Sequence, residues 1–508
     1  MKRISIYLSM GVALLAMCMA SCDDFLDTMP DKRTELNSVD KVRDILLSAY
    51  PYGHPTIMFE FMSDNYADNG ENYGSPMNEV IQAYHWEDAT GTGNDSPQAF
   101  WDRYYRAIAA ANQALEAIEE LGEPEESLPY KGEALLCRAF GHFMLANTFC
   151  MGYNPATAAT TLGIPYIKSP EKRVGEVYER GTLEEVYRNL DADIEEALPL
   201  IRKSKFDVPV YHFNVKAAYA FAARFNLFYG KDYDKVIRYA TEAIGENPTS
   251  VLRNLEGYNR YTNTDEWTRG YISKDEPANL MLLTTISLYG RSGNQRYGIT
   301  QNIFRTSLAW SLLPGNRQPS VYNTVFHYNY MSYFVPKMME IFEITDQLAQ
   351  TGYPHVVVPI FTTDEALLCR AEAHVLKKEY TAAATDLSYW YVKKGAVACS
   401  ADEIAAHYAP RQDAEGNWVE NPNATPFNTG VTYDDMQLRM LQGVLHVRRI
   451  ECLHEGMRWL DIKRYGISYQ HNRSNKDPIT LLPDDPRKAV QLPSQVLAAP
   501  GNMTPNPR

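Results

Sequence analysis

Two stretches of the chain repeat the same seven residues, and therefore the same order of apolar and polar positions. Residues 133–139 and residues 365–371 both read Glu-Ala-Leu-Leu-Cys-Arg-Ala. Most of these residues are strong helix formers, and at helical spacing the apolar ones share one face while Glu and Arg lie off it. A repeated heptapeptide indicates one structural unit that the chain uses at least twice.

A third segment follows the helix–turn–helix tetratricopeptide (TPR) pattern, which repeats about every 34 residues. Small residues in this pattern let two antiparallel helices approach closely, and an aromatic residue fills the gap between successive pairs. The segment predicts TPR-like helix pairs, with a generic Ala-rich helical bundle as the alternative. The residues at the signature offsets are Ala220, Ala223, Leu227, Tyr233, Ala240, Ala243 and Pro248.

The same helical spacing of apolar residues continues along much of the chain. It predicts helix pairs around 98–149, 182–246 and 363–394. A long helix is predicted at 434–466, and the Pro-rich tail from Gln470 is predicted to be extended and to lie along the surface.

The helical spacing of apolar residues is absent from two regions, around 51–97 and 253–333, and these are predicted to be loop insertions. The first is rich in Gly, Asn, Asp, Ser and Tyr, and the second mixes Tyr and Trp with polar residues and a short strand at 280–288. Loops of this length are usually functional or disordered, and their aromatic residues favour order. The sequence therefore predicts an all-α fold: a TPR-like helical repeat scaffold whose long irregular loop insertions carry minor β structure.

The first residues have the features of a secretory leader. Lys2 and Arg3 precede an apolar run, which is followed by small residues and Cys22. The run is short for a membrane-spanning helix. We therefore predict a signal peptide at 1–21 and a single mature domain at 22–508.

The end of this leader, Met19-Ala20-Ser21-Cys22, resembles the lipobox of bacterial lipoproteins. That resemblance implies that Cys22 is lipidated and becomes the new N-terminus, and several acyl chains anchor a protein stably. An ordinary signal peptide with an incidental cysteine is the alternative. The acidic pair after Cys22 is similar to the tract that directs lipoproteins of some Gram-negative bacteria to the cell surface.

Charge and composition narrow the range of partners. The 508 residues carry a formal charge of -14, and this becomes -16 without the leader, with 47 Lys and Arg against 63 Asp and Glu. Such an acidic chain argues against a nucleic-acid partner, because phosphate binding needs clustered Lys and Arg. The 35 Tyr against 18 Phe suit wet binding surfaces as well as cores.

Catalytic and cofactor motifs are absent from the sequence. It holds no nucleophile elbow, zinc-protease motif, phosphate loop or dinucleotide fingerprint, so we predict neither an enzyme nor a cofactor or metal site. The segment from Asp64 to Gly70 superficially suggests a calcium loop, but Tyr66 occupies a required ligand position. A different structural calcium site remains an alternative.

The C-terminal charge cluster carries the most specific resemblance. Glu455-Gly-x-Arg-Trp-x-Asp-x-x-Arg464, followed by Tyr-Gly, resembles the C-terminal signature of the SusD/RagB family, lipid-anchored surface proteins of Bacteroidetes that capture nutrients. Agreement in order along the chain extends the resemblance to nearly all of it, although the closing residues after Gln491 depart from the family pattern. Read from its residues alone, the cluster is a structural helix with ion pairs three residues apart, or alternatively a ligand site.

The resemblance implies a TPR scaffold with a ligand-binding face built from inserted loops. It also implies non-catalytic binding, usually of glycans, and delivery to a TonB-dependent, SusC-like outer-membrane transporter on which the lipoprotein sits as a lid. The protein would then lie at the outer membrane, lipid-anchored and facing outwards. Two alternatives remain: the same scaffold binding peptides for import, or a TPR protein-interaction scaffold with no small ligand.

Aromatic residues of the two insertions are the candidate ligand-binding residues. Tyr and Trp rings can bury the apolar faces of sugar rings while polar neighbours bind the hydroxyl groups. For each single ring, a place in the core is the alternative. The candidates are Tyr73, Trp86, Trp267, Tyr271, Tyr297 and Trp310.

Overall fold

The structure is a computed structural model. The leader and Cys22 lie outside the residues that it describes, so the prediction of lipidation stays a prediction. The described residues are 36–173, 175–204, 206–291, 296–319, 325–329, 332–501 and 503–508.

Helices account for most of the regular structure in this part of the chain, and the predicted all-α, TPR-like scaffold is confirmed. The helices are α1 (Val39–Leu46), α2 (Thr56–Met62), α3 (Asn78–His85), α4 (Pro97–Glu120), α5 (Leu128–Phe149), α6 (Leu183–Ile201), α7 (Val215–Tyr229), α8 (Tyr233–Ile244), α9 (Thr264–Tyr271), α10 (Gln301–Ser307), α11 (Thr363–Leu376), α12 (Tyr380–Lys393), α13 (Ala401–Tyr408), α14 (Asp435–Glu451), α15 (Met457–Arg464) and α16 (Ser494–Ala498).

Short strands lie between the helices. The largest sheet is antiparallel throughout and has the strand order Asn279–Thr285, Thr351–Thr362, Ile341–Asp346. Its first strand confirms the strand predicted near 280–288. The strands are β1 (Ala67–Asp68), β2 (Asn279–Thr285), β3 (Tyr297–Gly298), β4 (Phe326–Asn329), β5 (Ser332–Phe334), β6 (Ile341–Asp346), β7 (Thr351–Thr362), β8 (Arg411–Gln412), β9 (Trp418–Val419), β10 (Tyr469–Arg473) and β11 (Lys476–Leu481).

The two heptapeptides occupy equivalent places in two helix pairs. Arg138 of α5 donates two hydrogen bonds of 2.7 Å to Asp193 of α6, and Arg370 of α11 donates bonds of 2.9 and 2.7 Å to Asp386 of α12. All four side chains are buried. The arginine of the repeat is therefore not a solvated residue: it joins the two helices of each pair through a bidentate ion pair.

The pair α7 and α8 shows why the TPR pattern forms. Ala220 and Ala223 of α7 and Ala240 of α8 are fully buried, so that the two backbones approach closely. Gly230 ends α7 with a left-handed φ of 66°, a conformation that glycine adopts without steric penalty. The chain can therefore reverse direction within a few residues.

Three predicted boundaries differ from the structure. The helix predicted at 434–466 is two helices, α14 and α15, because His454 and Gly456 between them have left-handed φ values of 72° and 77°. The tail from Gln470 is not simply extended, since β10 and β11 form a hairpin that satisfies its backbone groups. The first insertion also contains a helix, α2, whose seven residues are all buried because it is apolar on nearly every side.

No helix in the described part of the chain combines the length and the apolar character that crossing a bilayer requires.

Candidate functional site

The two predicted loop insertions meet in a short antiparallel strand pair. In this pair β1 of the first insertion lies beside β3 of the second, with Asp68 opposite Tyr297. Asn69 extends the pairing by donating its backbone N–H to the carbonyl oxygen of Arg296 at 2.7 Å. The surface at this junction is therefore built from both insertions, although they are more than 200 residues apart along the chain.

A stack of buried rings supports the junction from behind. The rings of Trp86, His471, Tyr84 and Tyr297 follow one another with centroid distances of 4.5, 4.1 and 4.2 Å. The two ring nitrogens of His471 lie 2.7 and 2.8 Å from the carbonyl oxygens of Tyr84 and Ser63. Burial lowers the pKa of His471 to about 4, so at neutral pH the uncharged ring donates to only one of these carbonyls. The stack fixes the first insertion to the second and to the C-terminal hairpin.

Three half-buried rings remain at the surface of the junction. Trp310 packs with its ring centroid 5.1 Å from that of Tyr333, and the backbone N–H of Tyr333 donates to Ile299, next to β3. Tyr73 lies in a 3₁₀ turn of the first insertion, a few residues beyond β1. Each ring keeps part of its area accessible to solvent, which is what a platform for an apolar ligand face requires.

Polar side chains also lie at this junction. The guanidinium group of Arg296 is 3.2 Å from Asp68 and 3.9 Å from Glu71. Burial alone would raise the pKa of Asp68, but the backbone N–H of Ser474 and the Arg296 guanidinium outweigh it and lower that pKa. We call this surface the loop face and define it by the rings of Tyr73, Trp310 and Tyr333 and the polar side chains of Asn69, Glu71 and Arg296.

The C-terminal signature holds both insertions in place without reaching the loop face. Glu455 accepts a hydrogen bond of 2.6 Å from the hydroxyl group of Tyr271 and one of 3.0 Å from the ammonium group of Lys337. Arg458 donates two bonds, of 2.8 and 2.7 Å, to the carboxylate of Asp64. Glu455 therefore binds the second insertion and the turn that follows it, and Arg458 binds the first insertion.

The turn between α14 and α15 makes further contacts to the insertions. The Nε2 atom of His454 accepts the backbone N–H of Val335 at 3.1 Å, and Gly456 donates its backbone N–H to Glu60 of α2 at 2.7 Å. Burial raises the pKa of Glu60 to about 8, so this carboxyl group is protonated at neutral pH. These contacts explain why the helix ends here. The left-handed conformations of His454 and Gly456 direct the His454 ring to Val335 and the Gly456 N–H group to Glu60.

The charges of the signature pair mainly across elements rather than along one helix face. Of the pairs predicted three residues apart, Asp461 and Arg464 do form one at 2.7 Å. Arg464 also binds Glu372 of α11 at 2.8 Å, whereas Glu455 and Arg458 bind residues of the insertions. The structural interpretation of this cluster therefore holds, but its ion pairs connect three parts of the fold.

Four of the six candidate rings take the place in the core that was the alternative for each of them, which corrects their choice as ligand-binding residues. Trp86, Trp267, Tyr271 and Tyr297 are each less than 5% exposed. Trp267 stacks on Tyr271 at 5.2 Å, and the guanidinium group of Arg253 lies 3.8 Å from the centroid of the Tyr271 ring. These four rings pack in the core, where each gains burial of its apolar area. Only Tyr73 and Trp310 of the six candidates keep a place at the surface.

Tyr333 was missed by the sequence reasoning. It lies in the three-residue strand β5, where Ser332 is buried and Tyr333 and Phe334 are half-buried, so no alternation was available as a signal. The segment was assigned as a whole to an irregular insertion.

The carboxylates that suggested a calcium loop are held by arginine side chains. Arg449 and Arg458 lie 3.3 and 2.7 Å from Asp64 and outweigh burial, so the pKa of Asp64 is well below its usual range. Asp68 is bound by Arg296 in the same way. Within the described ranges, no group of three His, Cys, Asp or Glu side chains is arranged to hold a metal ion.

Together these features define a class of protein: a TPR-like helical scaffold that presents a ring-bearing surface made from two inserted loops. Residues 24–227 match a SusD-like family model described as "Starch-binding associating with outer membrane", and residues 258–482 match the SusD family model. The two matches cover most of the chain in sequence order. The chain belongs to the SusD/RagB family.

Comparisons with individual proteins agree with this assignment. SusD-like protein P38 of Formosa agariphila is 25% identical over 318 residues, which is 60% of this chain and 52% of that protein. The chain thus spans about half the length of this curated relative.

Solved structures show the same fold over nearly the whole chain. A Bacteroides vulgatus protein proposed to bind sugar superposes with a TM-score of 0.66 at 17% identity, covering 94% of this chain and 99% of that one. A laminarin-binding SusD-like protein superposes with a TM-score of 0.57 at 15% identity, covering 92% and 98%.

Proposed function

We propose that this chain binds neutral or weakly charged saccharides at the loop face and does not cleave them. The observation that supports this most directly is the pair of half-buried rings of Trp310 and Tyr333, with centroids 5.1 Å apart, at a junction built from both insertions. Membership of a family described as starch-binding and the fold shared with a laminarin-binding protein point to the same ligand class.

The arrangement of the loop face favours binding over catalysis. A glycosidase needs two carboxyl groups free to act as acid and as base or nucleophile. Of the residues that define the loop face, Glu71 alone carries a carboxyl group, and the carboxylate of the neighbouring Asp68 accepts hydrogen bonds from Arg296 and from the backbone N–H groups of Gly70 and Ser474. It is therefore occupied as a structural acceptor, which leaves the rings and polar side chains to hold a ligand.

The proposed setting is the outer membrane. A lipid on Cys22 would anchor the chain, and the saccharide would be delivered to a TonB-dependent, SusC-like transporter. The family model that describes association with the outer membrane supports this setting. In the native bacterium, Cys22→Ser should move the protein from the membrane fraction to the soluble fraction and abolish labelling by a fatty-acid analogue. Continued labelling of the variant would contradict the assignment of Cys22.

Isothermal titration with neutral oligosaccharides tests the ligand class and the site together. Maltohexaose and laminarihexaose serve as probes, and a mixture of short peptides tests the peptide alternative. Trp310→Ala should weaken saccharide binding by about 1–2 kcal/mol, or roughly 5- to 30-fold, because it removes a stacking ring.

Trp418→Ala is the matched control. Trp418 is also a surface tryptophan, 72% exposed, but it lies in β9, outside both insertions. Equal affinities of the wild type and the Trp310→Ala variant would remove the loop face as the site. Binding of peptides but of no saccharide would replace the ligand class.

A further inference from the structure

A large groove lies on a different part of the molecule, along the first TPR-like helix pair. It runs between α4, the loop that joins α5 to α6, and the C-terminal segment that contains α16. Its volume of about 620 Å³ falls within the range of about 300–1,000 Å³ that is usual for sites of small ligands. It shares no residue with the loop face.

The chemistry of this helix groove is that of rings and hydrogen-bond acceptors. Trp101 is mostly buried, whereas Asp102, Glu171 and Glu176 are exposed at the edge, where water screens their charge. None of the lining residues is Lys or Arg. The lining residues that matter for a ligand are Gln98, Trp101, Asp102, Glu171, Glu176 and Tyr178.

One acceptor in the groove has no partner. The side-chain amide of Gln98 donates from Nε2 to the carboxylate of Asp102 at 2.8 Å, and this bond fixes the orientation of the amide. The other atom of that amide, Oε1, is buried without a hydrogen-bond partner. Buried polar atoms are almost always paired, so Oε1 is a place where a ligand hydroxyl group can donate.

On the opposite wall of the groove, a glycine allows the C-terminal segment to pack closely against the α5–α6 loop. Gly501 has a left-handed φ of +105°, and a Cβ atom built on it would lie 2.4 Å from Cγ1 of Val177. The C-terminal segment therefore approaches the α5–α6 loop so closely that only glycine fits. Tyr178, next to Val177, has its hydroxyl group 3.3 Å from Glu176. Burial and the nearby glutamates raise its pKa to about 12, so this hydroxyl group stays protonated.

We propose that the helix groove is a second saccharide-binding site, selective for neutral sugars. Sugar rings have apolar faces that the half-buried ring of Tyr178 can cover, and their hydroxyl groups can donate to Gln98 and to the carboxylates at the edge. An anionic sugar would meet carboxylates without a lining cation and is disfavoured. The ligand class follows from this lining, so the proposal does not depend on the loop face.

A second site would help the protein to retain a long polysaccharide. A polysaccharide long enough to reach both surfaces would be held at two points of one molecule, which raises its overall affinity without strengthening either contact. The helix groove would then hold a long chain while the loop face binds another stretch of it.

Titration in the Trp310→Ala background, where binding at the loop face is weakened, makes the contribution of the groove easier to measure. The probes are maltohexaose and laminarihexaose, with an oligogalacturonate as the anionic probe and pentalysine as the cationic peptide. Gln98→Leu and Tyr178→Ala should each weaken binding of a neutral probe at least tenfold in this background. Tyr178→Phe, which keeps the ring, should weaken it less than threefold. Thermal melting checks that each variant is folded.

The outcomes separate the two sites. Absence of neutral saccharide binding in the Trp310→Ala background, or affinities unaffected by the groove variants, overturns the second site. Binding of pentalysine alone overturns it in favour of a basic peptide, and preference for the oligogalacturonate overturns the selectivity. If Trp310→Ala changes nothing while the groove variants abolish all saccharide binding, the loop face fails and the helix groove stands.

Discussion

The ion pair between Arg458 and Asp64 offers the sharpest test of the structural role assigned to the C-terminal signature. The Arg458 side chain is 1% exposed and that of Asp64 is 15% exposed, and two parallel hydrogen bonds join them. Arg449 is a second neighbour, with Nη1 3.3 Å from the Asp64 carboxylate. Asp64 thus balances two buried arginines at the point where the first insertion meets α15.

The expected losses of stability follow from what each substitution leaves unpaired. Removing one partner of a buried ion pair costs about 3–5 kcal/mol, because the other charge stays buried. Arg458→Met leaves Asp64 with Arg449, so we expect a loss near 3 kcal/mol, at the lower end of that range. Asp64→Asn leaves two arginines without a counter-charge, and we expect a loss near 5 kcal/mol.

Equilibrium unfolding in urea, followed by circular dichroism, measures these losses from the shift of the midpoint. The double variant should lose clearly less than the sum of the two single variants, because the second substitution removes a partner that is already missing. Arg269→Met is the control. Its ion pair with Asp265 is 2.9 Å long, but both side chains are more than half exposed, so a loss of about 0–1 kcal/mol is expected.

Two results would refute the reasoning. If Arg458→Met costs no more than Arg269→Met, the buried pair does not hold the insertion. If the losses of Asp64→Asn and Arg458→Met simply add, the two side chains do not act on each other, and the assigned contact is wrong.

Three further predictions concern buried groups near the junction. Because burial raises the pKa of Glu60 to about 8, the stability that its protonated form contributes is complete below about pH 4.5 and is lost as the pH rises through 8. The free energy of unfolding of Glu60→Gln, measured in urea, should therefore rise relative to that of the wild type by up to about 4 kcal/mol between pH 5 and pH 9. A difference between the two proteins that does not vary with pH would contradict this. Burial lowers the pKa of His454 to about 3 and that of His471 to about 4, so the stability that they contribute above about pH 6.5 should fall as the pH drops towards 4. The Glu60→Gln variant removes the opposite effect of Glu60, and a melting temperature of this variant that is the same at pH 7 and pH 4.5 would count against the prediction. Tyr84→Ala should cost about 3–5 kcal/mol by opening the buried ring stack, whereas a loss below 1 kcal/mol would show that the stack is not packed as described.

Local sequence patterns were sufficient to predict the repeat scaffold. The identical heptapeptides and the small residues of α7 and α8 act over a few turns of helix, so their periodicity is visible without tertiary information. The partners of the heptapeptide arginines were not predictable in this way. Each partner lies in the next helix, but Arg138 and Asp193 are 55 residues apart, whereas Arg370 and Asp386 are 16 residues apart, so no common spacing in the sequence relates the two pairs.

The aromatic content located the insertions but did not show which rings face solvent. Trp86 is buried because His471 stacks on it, and nearly 400 residues separate the two along the chain. Trp310 packs against Phe304 and Tyr333, residues that are also distant from the first insertion in the sequence, and keeps part of its surface. The burial of a ring is thus decided by partners that no local window contains, and its residue type alone does not distinguish a platform from a core residue.

The recognised signature and the proposed binding surface are therefore separate parts of the molecule with different roles. Glu455 and Arg458 each hold one insertion, and Arg464 fixes the same segment to α11 of the repeat scaffold. A segment that does not belong to the loop face thus sets how its two halves meet. It follows that residues of the loop face can change to suit another ligand without disturbing these contacts. Loss of Arg458, in contrast, should lower the affinity of the loop face for any ligand.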